Sequence, residues 1–392
     1  MNTSRTISGL ICLTLICVPI VIAPWRLEPS IEFVTKMENR APNDFPKLAK
    51  NTDLLDHNWY KLVSDAFQDR VPYRKELMSL SNTIGLGGSD GMSSKVVALG
   101  KDGWLFWYMA LAEDFGSMEQ TERAIAAMDS FITNEQFSGD LFIMAAPDKA
   151  TIYPEQLNEE SFALYEPSTP QRTRLHDWFT ANPSVALDLW TGLRNLKAQH
   201  DGLIYEPAGT HYNSIGAMVL AKAMVEAASP GLWESDWNQG EFVDLWTRTE
   251  PPELALRGGL WDRTETTTRS QVERQGVELI ELLDAGEPVE GPGFLSITEL
   301  TYHNNKRAIS RSQSRPMVPG RTLVIHDSFI AVYLLPTLTQ FFEDIEFIHV
   351  GYLTPAEFRA ALDTYDRVYF ESAEHYFPER AIEYFQQGGN QQ

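Results

Sequence analysis

His326-Asp327-Ser328-Phe329 follows the apolar run Leu323-Val324-Ile325 and precedes Ile330-Ala331-Val332-Tyr333-Leu334-Leu335. That order predicts a buried strand, a sharp turn carrying a serine, and a helix. A serine hydroxyl is a weak nucleophile until a neighbouring base takes its proton. At the amino end of a helix, unpaired N–H groups and the helix dipole can hold an oxyanion. An Asp-Ser pair is also an ordinary helix cap, so the chemistry depends on a base nearby. Thr210-His211-Tyr212-Asn213 supplies a candidate. His211 follows a short apolar strand, Leu203-Ile204-Tyr205, on a Gly-Thr turn, and precedes an apolar helix over 214–228. Both residues should therefore lie at the carboxyl edge of one parallel sheet, where catalytic groups gather in open α/β folds. The expectation is that Ser328 and His211 approach to hydrogen-bond reach, about 3 Å. His326 is a second possible base, but adjacent strand residues point to opposite faces.

The elements that must position this pair can be read from periodicity. Residues 26–90 carry helical spacing broken by Pro29, Pro42, Pro46 and Pro72, and 85–94 is a Gly/Ser-rich loop. Residues 96–107 read as a hairpin around Gly100-Lys101-Asp102-Gly103. From about residue 120, helices alternate with short apolar strands at 141–146, 185–187, 203–205, ahead of Ser328, at 346–350 and at 367–370. This is the pattern of an α/β fold with a parallel sheet flanked by helices. Residues 231–320 are the least periodic and read as an irregular insertion. The expected division is an anchor over 1–26, a helical lead-in over 27–90, an α/β domain over 91–386 and a disordered tail over 387–392.

Composition narrows the chemistry. Residues 7–25 are uncharged and almost wholly apolar, with Arg5 before and Arg26 after. That length just spans a bilayer, which needs about 20 residues, and no clear cleavage site follows. An uncleaved signal-anchor with an exported, periplasmic body is expected, a cleaved signal peptide being the alternative. Both cysteines, Cys12 and Cys17, lie inside this run, so the body has no disulfide, no Cys-ligated metal and no Cys nucleophile. The formal charge of −22, from 32 basic and 54 acidic residues, argues against nucleic acid as a partner. No metal-ligand spacing and no nucleotide-binding glycine loop is present, and no cofactor is expected.

Five short motifs occur in one order: Glu38-Asn39-Arg40, Gly100-Lys101-Asp102-Gly103-Trp104-Leu105-Phe106, Pro147-Asp148-Lys149 with Tyr153-Pro154, Thr210-His211-Tyr212-Asn213, and Asp327-Ser328-Phe329. In this series the chain resembles the AlgJ and AlgX proteins of alginate O-acetylation, whose catalytic domain is SGNH-hydrolase-like. With an anchor and no appended carbohydrate module, the layout is closer to AlgJ. The resemblance implies a Ser-His-Asp triad in which Ser328 is the nucleophile and His211 the base. It puts the acid at position 209, which here is Gly209. The family's glycine before Asp-Ser is replaced by His326, and the arginine of a late Glu-Arg-Tyr-like segment falls on His375. Three readings of His211 stay open: a carboxylate from elsewhere such as Glu206 or Asp262, a backbone carbonyl, or loss of catalysis with binding kept.

The function implied is transfer of acetyl groups to hydroxyls of a secreted, alginate-like exopolysaccharide through an acetyl-serine. It further implies a membrane-bound O-acyltransferase as donor partner and attachment to the inner membrane. A carbohydrate esterase and a non-catalytic polysaccharide-binding or assembly subunit are the alternatives. Lys149 and Tyr153 could line the groove, or Lys149 could be a solvated lysine at a strand end. Trp233, Trp237, Trp246 and Trp261 could stack on sugars or simply pack, and His303-Asn304-Asn305 offers amide donors for an oxyanion.

Overall fold

The first described strands form a hairpin, β1 (Val97–Leu99) and β2 (Leu105–Trp107), turned through Lys101-Asp102-Gly103. Asp102 at φ 50° and Gly103 at φ 81° take the left-handed conformation that a short polar side chain or a glycine tolerates. In this computed structural model residues 61–62, 66, 97–112, 115–135, 137–233, 240–257, 263–284, 287–289 and 306–386 are described. The apolar run 7–25, nearly all of the lead-in, the tail 387–392, Trp237, Trp261, Asp262 and His303-Asn304-Asn305 lie outside them. Residues 95–254 and 264–392 pack as one unit, and residues 1–94 with 255–263 as another. The elements described below belong to the first, apart from the end of one short helix.

Helix α1 (Tyr108–Ala112) and helix α2 (Met118–Asn134) follow the hairpin, and Ser117 with Gln120 closes a capping box on α2. Then come β3 (Asp140–Ala146), α3 (Glu159–Tyr165), α4 (Thr169–Ala181), β4 (Ala186–Leu187), α5 (Leu189–Gln199) and α6 (Ser214–Ala228). The next stretch holds β5 (Gly240–Glu250), α7 (Glu253–Arg257), β6 (Glu265–Arg274), β7 (Val277–Asp284), β8 (Glu287–Val289) and β9 (Lys306–Ser312). The chain closes with β10 (Val318–His326), α8 (Ser328–Tyr333), β11 (Phe342–His349), α9 (Pro355–Thr364), β12 (Arg367–Ala373) and α10 (Phe377–Phe385).

Eight strands form one sheet in the order β4-β3-β12-β10-β11-β9-β7-β8. The first five are parallel, and β9, β7 and β8 extend the sheet antiparallel. The parallel strands are buried on both faces, so alternate side chains enter two cores. Leu141, Ile143, Leu323, Ile325, Val368 and Phe370 join the core under α2, α4, α9 and α10. Phe142, Met144, Val324 and Tyr369 join the other, with α6 and Phe329. Strand β10 lies between β11 and β12, near the middle of the sheet.

Two regions differ from the periodicity reading. Leu203-Ile204-Tyr205 is not a strand of the sheet; Tyr205 and Tyr212 form an isolated antiparallel bridge that closes a loop. Most of the described part of 231–320 is β-structure, not irregular chain. β5 and β6 make a long antiparallel hairpin, while β7, β8 and β9 widen the main sheet. The hairpin's exposed face carries threonine rungs, Thr247 to Thr268 at 3.0 Å and Thr249 to Thr266 at 2.9 Å. Such a ribbon is held by polar cross-strand pairs, so it lacks the hydrophobic alternation that marks a half-buried strand.

Candidate active site

Ser328 is the first residue of α8, directly beyond the carboxyl end of β10. Asp327 caps this helix, its Oδ1 accepting from the N–H of Phe329 at 2.9 Å. As the opening residue of a helix, Ser328 has no carbonyl one turn back to bond its own N–H. The serine turn therefore sets a hydroxyl beside an N–H that the helix does not use.

His211 reaches this turn from the loop ahead of α6. Its Nε2 lies 2.8 Å from Ser328 Oγ, and its ring meets Phe329 edge-on with centroids 4.8 Å apart. The loop is fixed from several sides. Tyr212 donates its hydroxyl to the carbonyl of Phe329 at 2.9 Å, joining the histidine loop to the serine turn. Tyr205 donates to the carbonyl of Pro147 at 2.6 Å, and Asn213 caps α6 through the N–H groups of Ile215 and Gly216. Asn213 in Thr210-His211-Tyr212-Asn213 is thus a helix cap. The two expected site residues, far apart in sequence, meet at hydrogen-bond distance.

The far nitrogen of His211 faces an acid that the sequence reading did not single out. His211 Nδ1 lies 3.5 Å from Glu253 Oε2, at the outer edge of hydrogen-bond reach. Glu253 sits in the first turn of α7, at the tip of the β5–β6 hairpin. Both ends of that tip grip the residue before Gly209. Leu254 donates its N–H to the carbonyl of Ala208 at 3.0 Å, and Glu265 accepts from the N–H of Ala208 at 3.3 Å. With a carboxylate at Nδ1, the tautomer protonated there is favoured and Nε2 is left to accept the serine proton. Of the two carboxylates expected, Asp262 lies outside the described residues, and Glu206 lies against Gly209. A Cβ built at Gly209 would fall 2.7 Å from Glu206 Oε2 and 3.0 Å from Glu206 Cβ.

Lys149 is buried, not a solvated lysine at a strand end. Its Nζ donates to the carbonyls of Glu206 at 3.1 Å, Pro207 at 2.9 Å and Gly209 at 2.5 Å. One ammonium thereby ties down the turn that leads into His211. Tyr153 is buried too, its hydroxyl accepting from the N–H of Ile204 at 3.1 Å. Lys149 does border a small cleft, with Phe106, Trp107, Asp148 and Thr210. Trp233 packs in the core, stacked on Phe341 with centroids 4.9 Å apart.

His326 is buried with Nδ1 2.7 Å from the carbonyl of Asp327, and burial pushes it down to about 4. His375, at the position of the family's arginine, belongs to a buried ionic network. Its Nδ1 lies 2.5 Å from Asp148 Oδ1. Arg172 holds the other Asp148 oxygen at 2.7 Å and reaches Glu374 at 3.1 Å. Burial alone would lower His375, but the Asp148 charge and hydrogen bond outweigh it and leave its pKa raised. Burial raises Asp148, yet His375 and then Arg172 more than offset this and its pKa is lowered. The network joins the exits of β12, the neighbour of β10, and of β3, the strand beyond it.

Residues 97–286 match the family described as ALGX, the SGNH hydrolase-like domain of acetyltransferase AlgX. Among solved structures the chain is similar to Bacillus cereus PatB1 with a sulfonyl adduct. That likeness has 13% identity and a TM-score of 0.50, covering 74% of this chain and 98% of that one. A DHHW family protein from Eubacterium siraeum aligns with 15% identity and a TM-score of 0.51, over 77% of this chain and 99% of that one. The O-acetyltransferase domain of Pseudomonas putida AlgJ aligns at 18% identity and a TM-score of 0.44, over 72% of this chain and 92% of that one. No curated protein matches the chain in sequence. The first two likenesses show a shared fold, and the stretch 97–286 is similar to a domain described as SGNH hydrolase-like.

Proposed function

From a chain that carries an SGNH-hydrolase-like domain of the AlgX acetyltransferase kind, we propose an O-acetyltransferase that acts on hydroxyls of a secreted polysaccharide through an acetyl-serine at Ser328. The observation that carries the proposal is the 2.8 Å approach of His211 Nε2 to Ser328 Oγ at the amino end of a helix. His211 takes the hydroxyl proton as Oγ bonds to the acetyl carbonyl carbon, and the N–H of Ser328 holds the oxyanion. Collapse breaks the bond to the donor's leaving group, which takes the proton from His211. A sugar hydroxyl then gives its proton to His211, attacks the acetyl-serine and leaves as the acetyl ester, the proton returning to Oγ.

Glu253 in this scheme orients His211 and faces the imidazolium that forms in both steps. An alginate-like polymer is the proposed acceptor. The apolar run 7–25 would hold the body at the inner membrane, facing the periplasm, and a membrane-bound O-acyltransferase would supply acetyl groups.

The test is incubation with an aryl acetate and a defined oligosaccharide, reading both products and the mass of the serine peptide. The proposal expects an acetyl group on Ser328, acetylated sugar, and neither in Ser328→Ala. Acetate release without acetylated sugar would point to an esterase. No acetyl-enzyme in the wild type, with polysaccharide still bound, would establish a binding or assembly subunit instead.

A further inference from the structure

Glu371 lies near the carboxyl end of β12, the neighbour of the nucleophile's strand, and is fully buried. Its Oε2 accepts from the N–H of Asp327 at 3.0 Å. Its Oε1 is buried with no hydrogen-bond partner among the described residues. Asp327 is engaged on both carboxyl oxygens, Oδ1 by the N–H of Phe329 and Oδ2 by the N–H of Ala373 at 2.5 Å. The Asp327 carboxyl is near enough for its charge to act on Glu371. Two buried carboxyls so placed cannot both ionise cheaply. Burial, and then the Asp327 charge, push Glu371 well above the usual carboxylate range.

From the turn between β10 and α8, Asp327 is the ionisable side chain that faces Glu371, and His326 beside it is turned to the carbonyl of Asp327. Asp148 from the exit of β3, with Glu374 and His375 from the exit of β12 itself, are bound up with Arg172 and one another. The carboxyl charge that acts on Glu371 is therefore that of Asp327, in the turn that leads into the serine.

We propose that Glu371 is a positioning residue that works as a neutral acid, holding Asp327 so that Ser328 presents its hydroxyl and N–H, and keeping a second negative charge away from the oxyanion. The proposal rests on the reading of Ser328 as nucleophile. Ionising Glu371 would put another negative charge beside the site where an alkoxide-like oxygen must form. Glutamine mimics the neutral acid, with one oxygen for the N–H of Asp327 and an amide donor for its carboxyl.

The experiment is the rate of serine acylation by an aryl acetate, from mildly acidic to strongly alkaline pH, in wild type and Glu371→Gln. Both should lose rate in acid as His211 protonates. The wild type should also lose rate in alkali, and Glu371→Gln should retain most of the neutral rate while losing that alkaline fall. The same alkaline fall in both proteins, no such fall in the wild type, or a folded Glu371→Gln slow at every pH, would overturn the proposal. Carbon NMR of glutamate carboxyls in the wild type, assigned through Glu371→Gln or, if that variant does not fold, through-bond from the backbone, needs no activity. A Glu371 carboxyl found protonated at neutral pH supports the proposal, and one found ionised sinks it alone. No acylation by the wild type at any pH overturns the reading of Ser328 instead.

Discussion

At the scale of single residues, the carboxylate that faces His211 Nδ1 comes from a hairpin tip and not from position 209. Glu253 is partly exposed, at 36%, and 3.5 Å from Nδ1, so its hold on the imidazole is weaker than that of a buried aspartate. An ion pair of this kind is worth about 1 kcal/mol, so Glu253→Gln should slow acylation about fivefold. That is far short of the roughly 10⁴-fold loss on replacing the aspartate of a serine-protease triad. Gly209→Asp should not raise turnover, because the new carboxylate enters space held by Glu206 and adds like charge. Stopped-flow acylation rates check both, and a large gain in Gly209→Asp would contradict the role given to Glu253.

His326 gives a prediction in pH. Its pKa is depressed in the folded protein, from 6.5 to about 4, so the unfolded chain binds the proton first as pH falls. Its contribution is fully present above pH 6.5 and is lost as pH falls toward 4, by about 3 kcal/mol in all. Urea unfolding at several pH values should show a shallower acid loss in His326→Asn than in the wild type. Ser328 was legible in sequence because a strand, a turn and a helix each leave a local pattern, whereas His211 was found by its turn and following helix alone, the strand expected ahead of it being absent from the sheet. Glu253 was not, since nothing near it in sequence records which loop will fold back over it.

At the scale of elements, the loop before α6 carries the site and Lys149 is what stiffens it. Lys149→Met keeps the apolar stem but strips three carbonyls of their donor. If His211 then shifts by about 1 Å, acylation should fall about 10²-fold. Binding of oligosaccharide, read by calorimetry, should change far less. Sequence pattern marked Lys149 as a strand-end lysine because charge predicts solvent, and local spacing does not disclose a ring of carbonyls 57 to 60 residues away. The parallel strands were legible for the opposite reason, since burial on both faces leaves continuous apolar runs such as 141–146. The β5–β6 hairpin escaped notice because its rungs are threonines. It is docked through backbone groups, Ser270 N–H on Ser214 at 2.9 Å and Val272 N–H on Thr337 at 3.2 Å.

At the scale of the whole molecule, Arg172 is the cation that keeps two buried carboxylates together where β3 and β12 end. Arg172→Met would leave Asp148 and Glu374 without it and should lower stability by about 3–5 kcal/mol, measured by chemical denaturation. Sheet order has a further consequence, in time. Strand β3 pairs with β12, aligning Asp140 with Arg367, and β12 is also the neighbour that β10 needs. A chain delivered amino end first therefore presents β3, with only the two-residue β4 beside it, long before β12 exists, and neither core can close until that last strand arrives. Pairings of such long sequence separation pay their loop-closure entropy before contacts return it, which slows folding. The polypeptide would thus pass through its delivery without a finished sheet and bring Ser328, His211 and Glu253 together only within the final act of collapse.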